Sequence, residues 1–444
     1  MGETAVLGDG PGPRLALIIL DGLGDRPHPD TGGLSPVEAA RTPNLDKLAA
    51  RGALGSVTVI GRGVAPESDA GVLALLGYDP VRDSPGRGVL EALGIGMALE
   101  PGDVAFRLNF ATLDNHGVVA DARVGRSMST AEARELAGVI TDADLLGAAG
   151  IRAEVQATVG HRGVLRLHPT SGGSLSPQVS NSDPFYEKLG GMGRARRVTD
   201  PRPLLVRPLD RTREARRTAD ATNEFLQAAS RILPGQLVNA RRALSGRKLA
   251  NGLLVRNAGA LPTIGGLVPF ATKHGFSGAA VTEMPVERGI ARLLGLADKY
   301  VGPMGADRDA ALKVRARVTL EALREHPFAY VHLKGPDEPG HDGNAQAKRE
   351  IIEQLDASFF GPFLERADWA KLRVAVTADH ATPCILKGHA DDPVPLVLSG
   401  AGVAAAPTPP GGLKFGELAA AAGTLGLMRG TDVLPTLIRG ARPK

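Results

Sequence analysis

The chain is poor in the features that would tie it to an oxidising compartment, a membrane or a polyanion. It has one cysteine, Cys384, in 444 residues, so no internal disulfide can form and nothing demands oxidising conditions. No apolar run approaches the roughly 18–20 residues that cross a bilayer. The N-terminal stretch MGETAVLGDGPGPR lacks the basic start and apolar core of a secretory signal. Its Met-Gly start has Val6 where a myristoylation signal carries Ser or Thr. Charge nearly cancels, with 52 Lys+Arg against 48 Asp+Glu, and no block of one sign or aromatic-basic stripe marks a nucleic-acid partner. These absences predict a soluble, cytoplasmic protein with no nucleic-acid or membrane partner; they leave its oligomeric state open.

What is present is a core-forming composition, 43% hydrophobic and 23% charged, in a chain long enough for about two to four domains at roughly 100–200 residues each. Residues 15–20 (LALIIL) are apolar without a break and run into Asp21-Gly22, the pattern of a strand buried on both faces of a parallel sheet. Thr42, Pro43 and Gly52 read as cap, first turn and stop of a helix, and 69–76 (DAGVLALL) as another, closed by Gly77. Strands are expected at 278–282, 328–333, 373–378 and 394–398, with helices at 286–295 and 345–358. This alternation implies a mostly parallel α/β sheet flanked by helices. The middle differs: 104–125 and 151–168 carry β-like alternation with polar interruptions, and 211–232 reads as a long amphipathic helix. The expected organisation is therefore a discontinuous core of residues 14–110 and 266–444, interrupted by a smaller α+β insert over 111–265.

Three predicted strands end in an aspartate: Asp21, Asp337 and Asp379. In open α/β sheets the carboxyl ends of the strands form the ligand crevice. Three carboxylates gathered there repel one another unless a cation lies among them. His341 follows Asp337 by four residues, His380 follows Asp379 directly, and His389 comes nine later. Oxygen and imidazole donors together suit divalent ions such as Mn²⁺ or Zn²⁺. Taken singly, each Asp is equally a turn former and each His a satisfied polar residue; together, on matched strand ends, they read as metal ligands. Ser68 precedes a predicted helix. There it is either an N-cap or a nucleophile, activated by a neighbouring cation at a helix end that favours phosphate oxygens.

The segments LIILDGLGDRP, AARTPNLDKLAARG, SDAGVLALLGYDP, GRGVLEALG, FRLNFATLD, HRGVLRL, VHLKGPDEPGHDG and TADHATPC…HADDPVP together resemble the archaeal-type, cofactor-independent phosphoglycerate mutases of the alkaline phosphatase superfamily. The likeness runs from about residue 14 to about 440. It implies two divalent ions (Mn²⁺ first, with Mg²⁺, Co²⁺ or Zn²⁺ as alternatives) and no need of 2,3-bisphosphoglycerate. Asp337, His341 and His389 would hold one ion; Asp21, Ser68, Asp379 and His380 would hold the other. Ser68 would be the nucleophile and carry a phosphoserine intermediate. The insert would offer Asp121, Arg123 and Arg126, with Arg107, His161 and Arg256 as weaker matches, and the core Lys334, to a small anionic substrate. Guanidinium groups suit that task because they bind carboxylate and phosphate bidentately. His161 or Asp121 would act as general acid and base, and the implied reaction interconverts 3-phosphoglycerate and 2-phosphoglycerate.

Several residues depart from the family pattern close to these positions. Asp69-Ala70-Gly71-Val72-Leu73 replaces the usual Asp-Thr-Ala-His-Leu, and Glu67 replaces the Gly before the serine. Lys334-Gly335-Pro336-Asp337 replaces Lys-Ala-Thr-Asp, Arg256-Asn257-Ala258-Gly259 replaces Arg-Gly-Ala-Gly, and Leu108 replaces a Cys. Such changes also fit a specialised relative that moves another phosphate or a phosphonate, for example a phosphonoformyl group passed to a glycerate-like acceptor in phosphonate biosynthesis. A metal-dependent phosphohydrolase is the third alternative.

Overall fold

The run Leu15–Leu20 lies at the centre of a large sheet, every one of its side chains buried. It belongs to the strand Arg14–Leu20, which pairs in parallel with Phe328–Leu333 on one side and Leu372–Thr377 on the other. The computed structural model describes residues 12–189, 192–196, 198–262, 267–405 and 413–440; the N-terminal stretch read above as no signal lies almost wholly outside them.

Among the described residues the sheet has eight strands. In spatial order they are Ala297–Tyr300, Ala279–Thr282, Phe328–Leu333, Arg14–Leu20, Leu372–Thr377, Val394–Gly400, Gly52–Thr58 and Gly426–Arg429. Only Val394–Gly400 runs against the rest, being antiparallel to both neighbours. Its entry therefore lies at the carboxyl ends of the other strands, which brings His389, just ahead of it, to the same rim as Asp21, Asp337 and Asp379. The fold is the mostly parallel α/β architecture expected from the sequence.

The chain divides into two compact units, Met1–Pro80 with Val268–Lys444, and Val81–Leu267. The second unit thus begins well before residue 111, because the helix Arg87–Ile95 and the strand Val104–Leu113 belong to it. That strand pairs antiparallel with Arg162–Pro169 and with Gly252–Gly259. Phe106, Leu108 and Phe110 face a core shared with the helices Thr130–Asp142 and Arg213–Ile232. Arg107 and Asn109, one pleat over, face the other way, as the two-residue period of a strand requires.

Three local expectations are corrected. The helix expected over 345–358 is α-helical only over Ala345–Leu355 and continues as a π turn, Asp356–Phe360. Thr42 holds the N-cap position of the helix Pro43–Ala50 as expected, while the Asp356 carboxylate accepts from the Asn44 and Leu45 amides, a task the Thr42 side chain does not perform. Gly52 opens the next strand instead of closing that helix. Ser68 is the first residue of its helix, Ser68–Leu75, and Glu67 holds the N-cap position, so the Ser68 hydroxyl is not used in capping.

The helix Ser68–Leu75 lies directly on the backbone that follows the strand Leu372–Thr377. An ideal Cβ at Gly71 would stand 2.2 Å from the Asp379 carbonyl oxygen, so glycine is what permits this approach. Gly71→Ala should push the serine-bearing helix outward and cost about 1–3 kcal/mol of stability, the usual penalty of overpacking. Thermal unfolding checks this; an unchanged midpoint would mean the helix is not seated as tightly as described.

Candidate active site

Asp21 leaves the central strand with its amide donating to the Leu333 carbonyl at 3.0 Å, and the chain turns at Gly22 with φ +62. The Gly22 amide donates to Asp379 Oδ1 at 3.1 Å. A Cβ at Gly22 would lie 2.7 Å from Thr382 Oγ1 and 2.8 Å from Asp337 Oδ1, so both its backbone angle and its surroundings demand glycine. The acids predicted at the strand ends thus meet around one turn.

Asp337, His341 and His389 form a tight triangle. Asp337 Oδ1 lies 3.5 Å from His341 Nε2 and 3.4 Å from His389 Nε2, and the two nitrogens are 3.2 Å apart. Donors at about 2.0–2.1 Å from a tetrahedral ion are spaced by about 3.3 Å, which these edges match. His389 Nδ1 donates to the Pro66 carbonyl at 2.7 Å, fixing the tautomer that leaves Nε2 with its lone pair inward.

The second set adjoins the first. His380 Nε2 is 3.6 Å from both Asp21 Oδ1 and Asp379 Oδ2, and Ser68 Oγ is 3.4 Å from Asp21 Oδ1 and from His380 Nε2. Thr382 joins the two sets: its hydroxyl donates to Asp337 Oδ1 at 2.7 Å and takes the His380 Nδ1 proton at 3.0 Å. All six predicted Asp and His ligands, and Ser68, are therefore brought together. Asp379 Oδ2 is buried with the imidazole nitrogens of His332 at 3.2 Å and His380 at 3.6 Å, and among the described residues the donor atoms of Asp337, His380 and His389, and those of Asp21, His332 and Asp379, each lie within 4.8 Å of one another. Imidazole and carboxylate atoms at this spacing fit a divalent cation.

Behind these residues is a buried ionic chain that no local sequence pattern announces. His332 Nε2 lies 3.2 Å from Asp379 Oδ2, and its Nδ1 lies 3.1 Å from Glu287 Oε1. Lys334 Nζ stands 2.7 Å from that same Glu287 oxygen and 3.1 Å from Asp21 Oδ2. Burial pushes the Lys334 ammonium down, but the Asp21 and Glu287 carboxylates outweigh it and hold the charge firmly on. Burial likewise raises Asp21, and Lys334 with the two histidines brings it well below the carboxylate range. The signals for the missed residues are visible afterwards. His332 is the polar residue in the buried strand FAYVHL, and Glu287 sits on the apolar stripe of its helix with Ile290, Ala291 and Leu294.

In the inserted unit, the sheet face opposite the core carries Arg107, Asn109, Arg162 and Arg256 in register. Glu91 is the carboxylate among them, 3.0 Å from Arg107 Nη1 and 2.9 Å from Arg87 Nε. Burial, Arg87, Arg256 and Arg162 together push the Arg107 guanidinium down to about 9, and its Nε is buried with no hydrogen-bond partner among the described residues. Of the residues the resemblance favoured, Arg123 and Arg126 are exposed and lie close enough to act on His161, while Asp121 is held by Lys248 at 2.7 Å. Arg162 was not singled out from the sequence, although it stands in the HRGVLRL segment beside His161.

His161 is pushed down to about 3 by burial first and then by Arg162, Arg107, Arg123 and Arg126. Unfolded, it takes a proton near 6.5; folded, it does not until about 3, so acidification through that window removes stability that is fully present above it. Its imidazole should stay neutral between about pH 5 and about pH 8 in long-range ¹H–¹⁵N spectra. A titration near the ordinary histidine value would contradict the packing of these guanidinium groups around it.

A family model described as 2,3-bisphosphoglycerate-independent phosphoglycerate mutase matches residues 49–239. A protein of that name from Aeropyrum pernix is 43% identical over 389 residues, covering 87% of this chain and 90% of the relative. Another, from Methanosphaerula palustris, is 38% identical over 427 residues and covers 96% of each. Among solved structures, the PH0037 protein of Pyrococcus horikoshii superposes with a TM-score of 0.77 at 31% identity, over 96% of this chain and 98% of that one. The cofactor-independent phosphoglycerate mutase of Thermoplasma acidophilum does so with a TM-score of 0.62 at 33% identity, over 96% and 99%. With the strand-end acids, histidines and serine assembled at one rim of a mostly parallel sheet, and with relatives this similar over nearly their whole length, the chain belongs to the 2,3-bisphosphoglycerate-independent phosphoglycerate mutase family of isomerases.

Proposed function

We propose that this chain interconverts 3-phosphoglycerate and 2-phosphoglycerate by phosphoryl transfer through Ser68. Two divalent ions, Mn²⁺ foremost, assist: Asp337, His341 and His389 hold one, and Asp21, Ser68, Asp379 and His380 the other. The observation that carries this reading is the Ser68 hydroxyl, not used in capping and 3.4 Å from both Asp21 Oδ1 and His380 Nε2 of the second donor set. The names of the relatives support the substrate. When bound, the ions would favour the serine alkoxide and spread the charge of the transferring group.

Ser68 gives up its hydroxyl proton as Oγ bonds to phosphorus and the bond from phosphorus to the substrate oxygen breaks, and the freed substrate oxygen takes up that proton. Glycerate turns, its other hydroxyl gives up a proton as it attacks the same phosphorus, and Ser68 Oγ takes that proton as its bond to phosphorus breaks. The phosphoryl group waits on Ser68, so no 2,3-bisphosphoglycerate is required. The guanidinium face of the insert binds the anionic groups of the substrate. Of the two acid–base candidates, Asp121 is committed to Lys248, which leaves the neutral His161 to carry the proton.

A second reading is favoured by Asn257. It holds a left-handed φ of 53 where the family reads Gly, next to Arg256, and its amide atoms are buried with no hydrogen-bond partner among the described residues. An added amide beside the substrate-binding arginines would suit another phosphate or phosphonate. Phosphorus NMR on Mn²⁺-loaded protein given 3-phosphoglycerate separates these readings. The proposal expects 2-phosphoglycerate, lost in Ser68→Ala. Release of free phosphate would make the chain a hydrolase, and no turnover would overturn the phosphoglycerate reading in favour of phosphonate substrates.

A further inference from the structure

Lys334 is the cation nearest Asp21 in the buried site, and three groups set its place. Its backbone amide donates to Glu283 Oε1 at 3.2 Å, and Glu283 is itself fixed by Arg315 Nε at 2.9 Å. Its ammonium is gripped by Glu287 Oε1 at 2.7 Å and Asp21 Oδ2 at 3.1 Å. An ammonium has three N–H donors, so one remains after these contacts. The Lys334 side chain keeps 22% exposure, whereas Glu287 is buried to 1%. The remaining donor therefore has an open side, and the glutamate does not.

Glu287 lies in the first turn of the helix Pro285–Leu294, on the stripe that includes the buried Ile290 and Leu294. A carboxylate in that position is costly to bury unless it is paired. Two cationic partners, Lys334 and His332, hold it at about 2 against the upward push of burial. A single oxygen, Oε1, serves both partners. Asp21 is divided as a result: Oδ2 meets Lys334, and Oδ1 is left to Ser68 and His380.

We propose that Glu287 is a positioning residue which fixes the Lys334 ammonium against Asp21, so that its third N–H is aimed at the phosphoryl group that Ser68 receives. Glu287 touches no reacting atom; it acts through Lys334. This deepens the phosphoryl-transfer reading and rests on it. A helix residue locked by packing is a stiffer support for such a donor than a solvent-exposed partner would be.

A double-mutant cycle with the full-length, Mn²⁺-loaded protein tests this, using 3-phosphoglycerate turnover by wild type, Glu287→Gln, Lys334→Met and the double variant. Loss of a positioned donor lowers kcat by about 10²–10³-fold, and misplacing it by about an ångström costs about 10²-fold. Glu287→Gln should therefore lower kcat about 100-fold with KM little changed, and should cost nothing further once Lys334 is Met. Full additivity of the two losses, or no loss in Glu287→Gln, would overturn the proposal. Reductive methylation read by mass spectrometry gives a measure independent of turnover. Lys334 should label several-fold faster in Glu287→Gln than in wild type, and equal labelling would overturn the proposal. Absence of turnover in wild type would instead count against the phosphoglycerate reading, while the labelling experiment would still test the grip of Glu287 on Lys334.

Discussion

Asp21, Asp337 and Asp379 cannot share one rim of a sheet without positive charge among them. Two carboxylates about 4 Å apart repel by about 4 kcal/mol at an effective dielectric of about 20, and here burial removes much of the water that would soften this. The structure answers the problem in two ways. Lys334 supplies one fixed positive charge against Asp21 Oδ2. On the other side, imidazole nitrogens of His341, His380 and His389 are turned toward the carboxylates at ligand spacing, an arrangement suited to added cations. The placement of Ser68, the glycine at 22 and the glycine at 71 all serve that convergence.

The topology produces the convergence with few elements. Parallel strands deliver their following residues to one edge, which accounts for Asp21, Lys334, Asp337 and Asp379. The reversal of Val394–Gly400 delivers His389 from the opposite chain direction. Thr382 then ties a residue of each ligand set to one hydroxyl, and Lys348 fastens the loops beneath by bonding the carbonyls of Gly24 and Thr382 and the Asp25 carboxylate. A displacement at one set is thereby felt at the other.

The parts legible in the sequence were those written locally. An unbroken apolar run followed by Asp-Gly announces a buried parallel strand and its rim residue, and histidines at short spacing from two of those acids announce that imidazoles join that rim. What was not legible depends on pairing across long stretches of chain. The insert begins at Val81 because Val104–Leu113 finds partners at Arg162–Pro169 and Gly252–Gly259, which no local pattern around residue 81 records. Ser68 as cap or first helical residue is a difference of one position, finer than sequence signals resolve. Glu287 and His332 gain meaning only when the fold sets them against Lys334 and Asp379. Arg162 gains meaning only when strand register puts it on one face with Arg107 and Arg256.

The central claim is that this rim is built to hold two cations in adjoining donor sets. Titration calorimetry of Mn²⁺ into chelator-stripped protein tests it most directly. Two ions bound per chain, falling to one in His341→Ala, is the predicted result. No specific binding, or the same stoichiometry in that variant as in wild type, would contradict it.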